Sequence, residues 1–133
     1  GVSIGAPGSV TLLDPTRDWW VGTRNFAGLF GQELDISAMK QVAVQMVVGA
    51  ADLETWEITH KPGSRNWMPD ANHAGATRPE RLARLRDSFA ENGIAARFDV
   101  VPNTPHDGVK VVPVVEDFFA AELSRLRSAR KAA

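Results

Sequence analysis

The sequence of 133 residues contains no cysteine and no tyrosine, and its charges almost cancel. Without cysteine there is no disulfide framework, no thiolate metal site and no cysteine nucleophile. The 15 basic and 16 acidic residues give a formal net charge of -1. Such a balance provides no global field to hold nucleic acid or an acidic membrane, so we expect neither as a partner.

Long apolar runs are also missing. No run approaches the roughly 20 residues that span a bilayer, and no basic start followed by an apolar stretch indicates a signal peptide. The lack of cysteine fits a reducing compartment, and a cytoplasmic location is favoured. The chain starts abruptly at Gly1 with an apolar stretch, which suggests a processed chain or a fragment.

The 44% apolar content is that of a folded protein, and 133 residues make one domain at most. Short apolar runs predict three strands, at Val2–Ile4, Val42–Gly49 and Ile94–Val101. Helices are predicted at Thr77–Asn92 and, after a loop, within Val109–Arg130. Strands that alternate with helices predict a parallel sheet with crossover connections, which is the α/β class.

The first of these helices has clear end signals. Thr77 is a suitable N-cap, Glu80 completes a capping box, and Gly93 is a C-terminal stop. A short helical turn or loop is expected at residues 35–41. For the last helix we expect an inward apolar face made of seven residues: Val111, Val112, Val115, Phe118, Phe119, Leu123 and Leu126.

Two residues follow strand ends, where open parallel sheets carry their functional groups. Asp52 lies three residues beyond Gly49, and His106 lies five residues beyond Val101. If the two strands are neighbours, the loops share one edge and the carboxylate can reach the imidazole. Asp and His are common in loops, so spacing alone leaves open that both are solvated residues.

Four segments resemble consecutive parts of α/β-hydrolases. They read SIGAPGSVTLLD, VAVQMVVGAADLET, FDVVPNTPHDG and VVPVVEDFFAAEL. The first resembles the strand after the nucleophile helix, and the next two resemble the strands that carry the acid and the histidine, in that order. The last resembles the closing helix. WWVGT and the long insert after the acid resemble bacterial esterases related to polyhydroxybutyrate depolymerases.

The resemblance implies that residues 1–133 form a single partial α/β-hydrolase domain, with the last three strands, the insert and the closing helix. It also implies that Asp52 is the triad acid and His106 the general base. Glu54, two residues further on, is a rival acid. Asp107 is adjacent to the histidine and is expected to shape its loop.

The nucleophile is the main departure from the family pattern. G-x-S-x-G occurs once, around Ser3, but no strand precedes it, and Pro7 and Gly8 follow where a helix should begin. The resemblance also places this segment one strand after the nucleophile. We therefore expect the serine and the oxyanion donors on a missing N-terminal part, and we expect the isolated chain to be inactive.

The four tryptophans lie in two irregular segments, residues 9–35 and 53–76. Trp19 and Trp20 are candidate substrate-binding residues that would wall an acyl pocket, although burial in the core is the commoner role of tryptophan. We expect them on the same side of the sheet as His106. His60 and His73 have no recognised ligand spacing, so no metal and no cofactor are expected.

Two functions remain open. The first is part of a serine ester hydrolase that acts on a small or polymeric ester. Its partner would be the N-terminal half of the same hydrolase or another copy of the chain, because the sheet has too few strands and helices to be self-sufficient. The second is a non-catalytic binding or interaction module built on the same sheet.

Overall fold

The computed structural model describes residues 1–132 and contains, in this range, three strands and four helices. In chain order they are β1 (Val2–Gly5), α1 (Phe26–Phe30), α2 (Ile36–Met39), β2 (Val44–Gly49), α3 (Arg78–Glu91), β3 (Ala96–Val101) and α4 (Gly108–Ala132). The strands form one parallel sheet in the order β1-β2-β3. The α/β arrangement predicted from the alternating pattern is therefore present.

Strand β2 is buried along its whole length because helices cover both of its faces. Val44, Met46 and Val48 point to the α3 side and join a core with Leu82 and Phe89. The alternate residues face the α4 side, since side chains in a strand alternate between its two faces. A continuous apolar run is the sequence pattern of such a doubly covered strand.

Gln45 is a polar exception in this strand and is fully buried. Its amide nitrogen donates to Asp99 Oδ2 at 2.7 Å and to the Val114 carbonyl at 3.1 Å, and its oxygen accepts from Ser3 Oγ at 2.8 Å. These bonds join all three strands to α4. They offset the cost of burying an amide, which would otherwise be several kcal/mol, of the order of 2–7.

Helix α3 has the predicted ends. The Thr77 hydroxyl accepts a hydrogen bond from the Glu80 amide, and the Glu80 carboxylate accepts from the Thr77 amide. Gly93 adopts the left-handed conformation that ends the helix, with φ of 73°. The capping box and the glycine stop are thus confirmed.

Strands β2 and β3 begin two residues later than predicted. The Val42 amide donates to the Met39 carbonyl, and the Ile94 amide donates to the Phe89 carbonyl. These amides complete the ends of the preceding helices, so they are unavailable to the sheet. The five-residue helix α1 was not predicted at all.

The prediction for the last helix is wrong in two respects. The helix starts at Gly108, so no loop follows Val109, and Phe118 is its buried residue, while Val112, Phe119, Leu123 and Leu126 are exposed. Val112 and Phe119 are exposed because they lie about 100–120° around the helix axis from Phe118. For Leu123 and Leu126 the physical reason is length. Twenty-five helical residues span about 37 Å, whereas a six-residue strand spans about 20 Å, so the second half of α4 extends past the sheet. No helix within residues 1–132 is both long and apolar enough to cross a membrane.

Candidate active site

The loop that carries Asp52 is fixed by a close approach of two backbones. The Asp52 amide donates to the Gly49 carbonyl, and the Ala51 amide donates to the Thr104 carbonyl at 2.9 Å. A Cβ on Gly49 would lie 2.1 Å from the Thr104 carbonyl oxygen. Glycine at the end of β2 therefore allows the acid loop to lie directly against the histidine loop.

Asp52 and His106 are in hydrogen-bond contact, which the strand positions allowed and the resemblance implied. His106 Nδ1 lies 2.8 Å from Asp52 Oδ2, although the residues are 54 positions apart. The contact exists because β2 and β3 are neighbours and both loops leave the same edge of the sheet. An ionised carboxylate can only accept, which assigns the hydrogen to Nδ1.

The two side chains differ sharply in exposure. The Asp52 side chain is 1% exposed, whereas that of His106 is 52% exposed. Nε2 of His106 has no hydrogen-bond partner among the described residues. A buried carboxylate thus orients a ring whose second nitrogen is free to exchange a proton with another molecule.

A cavity of about 200 Å³ lies beside this pair, and apolar and backbone groups form most of its wall. Its lining residues are Gly5, Ala6, Val47, Gly49, Asp52, Pro105, His106, Asp107, Gly108 and Val111. Gly5, at the carboxyl end of β1, and the following Ala6 contribute to this wall. No serine among the described residues lines the cavity.

A buried arginine that sequence reasoning missed completes the surroundings of Asp52. Arg78 Nη1 donates to Asp52 Oδ1 at 3.1 Å, and Nη2 donates to Glu57 Oε2 at 2.7 Å. The Arg78 side chain is 6% exposed. No local signal marks this residue, because an arginine in the first turn of a helix usually faces solvent.

A second buried arginine anchors the insert, residues 53–76. Arg81 donates to the carbonyls of Gly8, Ile58 and Gly75 and to Asn72 Oδ1. Burial, together with the nearby Arg78 guanidinium, lowers the pKa of Arg81. The insert is thus held on the first turns of α3 by a cation bonded to neutral oxygens.

The other candidate acids have different partners. Glu54 is exposed and accepts from Trp56 Nε1. Asp107 accepts from the Val109 amide at 3.1 Å, at the start of α4. Neither contacts His106 through a hydrogen bond, so Asp52 is the carboxylate that the structure brings to the imidazole.

Ser3 lies in the middle of β1 and not at a strand-to-helix turn. Its hydroxyl donates to Gln45, so the G-x-S-x-G match is part of the sheet. Ser9 is a different case, since its hydroxyl lies 2.9 Å from His60 Nε2. Burial and the nearby Arg81 lower the pKa of His60, which favours the neutral ring that accepts from this hydroxyl.

The two tryptophans lie apart from the cavity beside His106. Trp20 Nε1 donates to the Asn66 carbonyl at 3.0 Å, which joins this segment to the insert. Trp19 packs edge-on against Phe26 and Phe30, with centroids 5.6 and 5.1 Å away. Trp19 also lines a separate apolar cavity of about 310 Å³. Their role in substrate binding stays a prediction.

The arrangement of the potential metal-ligand side chains in residues 1–132 gives no indication of a metal site. Residues 1–132 contain no group of three or more His, Asp or Glu side chains placed to hold an ion. Apart from the pair at Asp52, the remaining histidines bond to a serine hydroxyl and to the Asp70 carbonyl. An imidazole held by a carboxylate, as His106 is beside the cavity, can transfer a proton.

Two solved hydrolase structures share the fold. Poly(aspartic acid) hydrolase-1 from Sphingomonas sp. KT-1 matches with a TM-score of 0.62 and 18% identity, over 86% of this chain and 43% of that chain. The poly(3-hydroxybutyrate) depolymerase LpqC from Bordetella parapertussis matches with a TM-score of 0.62 and 23% identity, over 94% and 45%. No family model and no curated protein matches the chain. The chain thus has the α/β fold of these two hydrolases over less than half of their length, which confirms the predicted fold class.

Proposed function

We propose that this chain supplies the acid and the general base of a serine ester hydrolase. The observation that carries the proposal is the 2.8 Å contact between buried Asp52 and half-exposed His106. The contact lies at the carboxyl ends of parallel strands, beside a cavity. The nucleophilic serine belongs to a polypeptide outside these residues, since no serine in the described range lines that cavity.

In the proposed reaction, Nε2 of His106 takes the proton of the serine hydroxyl as the oxygen attacks the ester carbonyl. Asp52 holds the ring in the Nδ1–H tautomer and stabilises the imidazolium that forms. The imidazolium then gives its proton to the departing alkoxide, which leaves as the alcohol. Water, deprotonated by the same imidazole, cleaves the acyl-enzyme and releases the acid.

The substrate class follows from the apolar walls of the site. A small cavity without a cationic side chain in its wall suits an uncharged acyl group better than a carboxylate. Trp19 and Trp20 would contact more distant parts of the ester, beside the larger apolar cavity near Trp19. The related structures are named for a polyester and for poly(aspartic acid), so a polymeric ester is included.

The partner that we propose is the N-terminal half of the same hydrolase. β1 pairs with β2 along one edge, and no other strand within residues 1–132 pairs with its second edge. Beside β1, Val2, Ile4, Val42 and Phe89 line an apolar cavity of about 210 Å³. A parallel strand followed by an apolar helix would cover both features and would bring a serine to the Gly5 end of the sheet.

The experiment compares short p-nitrophenyl ester hydrolysis by the chain alone and by the chain mixed with the polypeptide encoded upstream of Gly1. We expect activity in the mixture only, and a fluorophosphonate probe should label the added polypeptide. In the mixture, His106→Ala and Asp52→Asn should each lower kcat by about 10⁴-fold. His73→Ala is the matched control, because His73 is exposed and bonds to the Asp70 carbonyl.

Three results would contradict this proposal. Probe label on the isolated chain would place the nucleophile within it. Full activity of His106→Ala would remove the general base. A monomer of 14.4 kDa that unfolds cooperatively and never associates with the upstream polypeptide would show that the open edge needs no partner. That last result would favour the binding module over the hydrolase, whereas a dimer of the isolated chain would identify a second copy as the partner.

A further inference from the structure

We propose that Arg78 is a positioning residue for the Asp52–His106 pair and that Glu57 holds Arg78 in place. The inference rests on the proposed function only in assigning Asp52 and His106 as acid and base. The geometry itself is independent of any activity. Four side chains form one continuous chain of hydrogen bonds, from His106 through Asp52 and Arg78 to Glu57.

The first argument is that the two carboxylate oxygens of Asp52 have different hydrogen-bond partners. Arg78 bonds to Oδ1 and His106 bonds to Oδ2. A carboxylate without a bond on Oδ1 can rotate about its last side-chain torsion, which is broad, and can turn either oxygen away from the ring. The guanidinium removes that freedom because its planar fork is rigid and is itself buried.

The second argument is charge. An arginine bonded to Asp52 alone would cancel the negative charge that stabilises the imidazolium. Glu57 bonds to the second nitrogen of the same guanidinium. The group of Asp52, Arg78 and Glu57 then carries a net charge of -1, as a lone carboxylate would. Glu57 thus lets the arginine orient Asp52 without neutralising the site.

The third argument is that Glu57 belongs to the insert and is partly exposed, at 42%, while Asp52 is buried. The arginine therefore ties the position of the insert to the orientation of the acid. If the role of Arg78 were purely structural, it would hold the insert against α3 without affecting the tautomer or proton exchange of the His106 ring. The two roles differ in what happens at His106 when Arg78 is replaced.

The test uses the chain labelled with ¹⁵N-histidine, in the complex with the unlabelled upstream polypeptide if the chain does not fold alone. Long-range ¹H–¹⁵N spectra give the tautomer of each of the three histidines, and His106→Ala assigns the signal of interest. The solvent-exchange rate of the Nδ1 proton reports how often the bond to Asp52 opens. The variants are Arg78→Met, Arg78→Lys and Glu57→Gln. Arg84→Met is the matched control, since Arg84 lies on α3 and pairs with Glu91.

In the wild type we expect a protected proton on Nδ1 of His106. Arg78→Met should speed its exchange by about tenfold or more, since a hydrogen bond to a charged group has at least this effect on an equilibrium. It should also move the ring toward the Nε2–H tautomer. Arg78→Lys should lie between these values, Glu57→Gln should speed exchange by a smaller factor, and Arg84→Met should match the wild type.

The proposal is overturned if Arg78→Met folds and leaves the exchange rate and tautomer of His106 unchanged. It is also overturned if the wild-type ring carries its proton on Nε2. If Arg78→Met does not fold, Arg78→Lys and Glu57→Gln provide the test. The proposal is then refuted if both variants give the same His106 spectra as the wild type. If neither Arg78 variant folds, Glu57→Gln decides alone. An inactive mixture with these spectra as expected would count against the hydrolase proposal and leave the positioning role intact.

Discussion

Replacing Gly49 with alanine should separate the two loops of the candidate site. The added Cβ would lie 2.1 Å from the Thr104 carbonyl oxygen and 2.8 Å from that of Pro105. Ordinary contacts start at 3.4 Å, so the loop would have to retreat by about 1.3 Å if it bore the whole displacement. Both opposing atoms belong to the backbone, and no flexible side chain can yield instead.

The size of the effect follows from what that movement breaks. Overpacking of a well-packed site costs about 1–3 kcal/mol. The Ala51 amide would also lose its bond to Thr104, which is 2.9 Å long and contributes about 1 kcal/mol. We expect Gly49→Ala to lower the free energy of unfolding by about 3 kcal/mol. His106 would move with its loop, and its bond to Asp52 would lengthen.

Urea unfolding followed by tryptophan fluorescence measures the first effect, and the Nδ1 proton of His106 reports the second. Gly5→Ala is the matched control, because Gly5 ends the neighbouring strand and nothing lies within 4 Å of the Cβ that it would gain. The reasoning is refuted if Gly49→Ala unfolds at the same urea concentration as Gly5→Ala and keeps the protected proton. That result would mean that the strand end adjusts without moving the histidine loop.

Two further predictions concern stability away from the site. Thr77→Ala should cost about 1 kcal/mol because it removes the acceptor for the Glu80 amide; a thermal midpoint equal to the wild type would contradict this. Hydrogen bonds from the Thr16 hydroxyl and amide, and the Arg17 guanidinium, lower the pKa of Asp14 from 3.8 to about 2. Its stabilising effect is therefore full above about pH 4 and is lost as the pH falls toward 2. Asp14→Asn should flatten this part of the acid unfolding curve, and parallel curves for variant and wild type would be evidence against it.

The parts of the fold that the sequence predicted are those with a local physical cause. The capping box at Thr77 is a contact between residues three apart, and β2 is an apolar run that helices cover on both faces. The last helix was misjudged for the opposite reason. Its apolar residues repeat at helical spacing, but burial depends on the length of the sheet beneath them. Leu123 and Leu126 lie beyond the end of that support, and no periodicity within the helix reveals this.

In the candidate site, too, the sequence predicted some contacts and missed others. Asp52 and His106 could be paired in advance because two adjacent parallel strands deliver their following loops to one edge of the sheet. This topological argument shows only that the two loops can meet, and the resemblance to α/β-hydrolases was needed to pair the two residues. It says nothing about Arg78, whose contact with Asp52 depends on how the 53–76 insert folds back onto the first turn of α3. That path has no period and no motif, and it is held by bonds from Arg81 to backbone carbonyls that any residue could provide.

Burial gives the reason why such a residue has to be present at all. A carboxylate that is 1% exposed cannot rely on water, and a neutral imidazole supplies only one hydrogen bond to one of its oxygens. An ionised group in that position needs a further donor or a countercharge, or else burying it costs several kcal/mol. The fold therefore requires a cation or amide at Oδ1, and its identity follows only from the three-dimensional path of the insert. A sequence that places a carboxylate after a buried strand thus predicts a partner for its second oxygen, and for Asp52 that partner is Arg78.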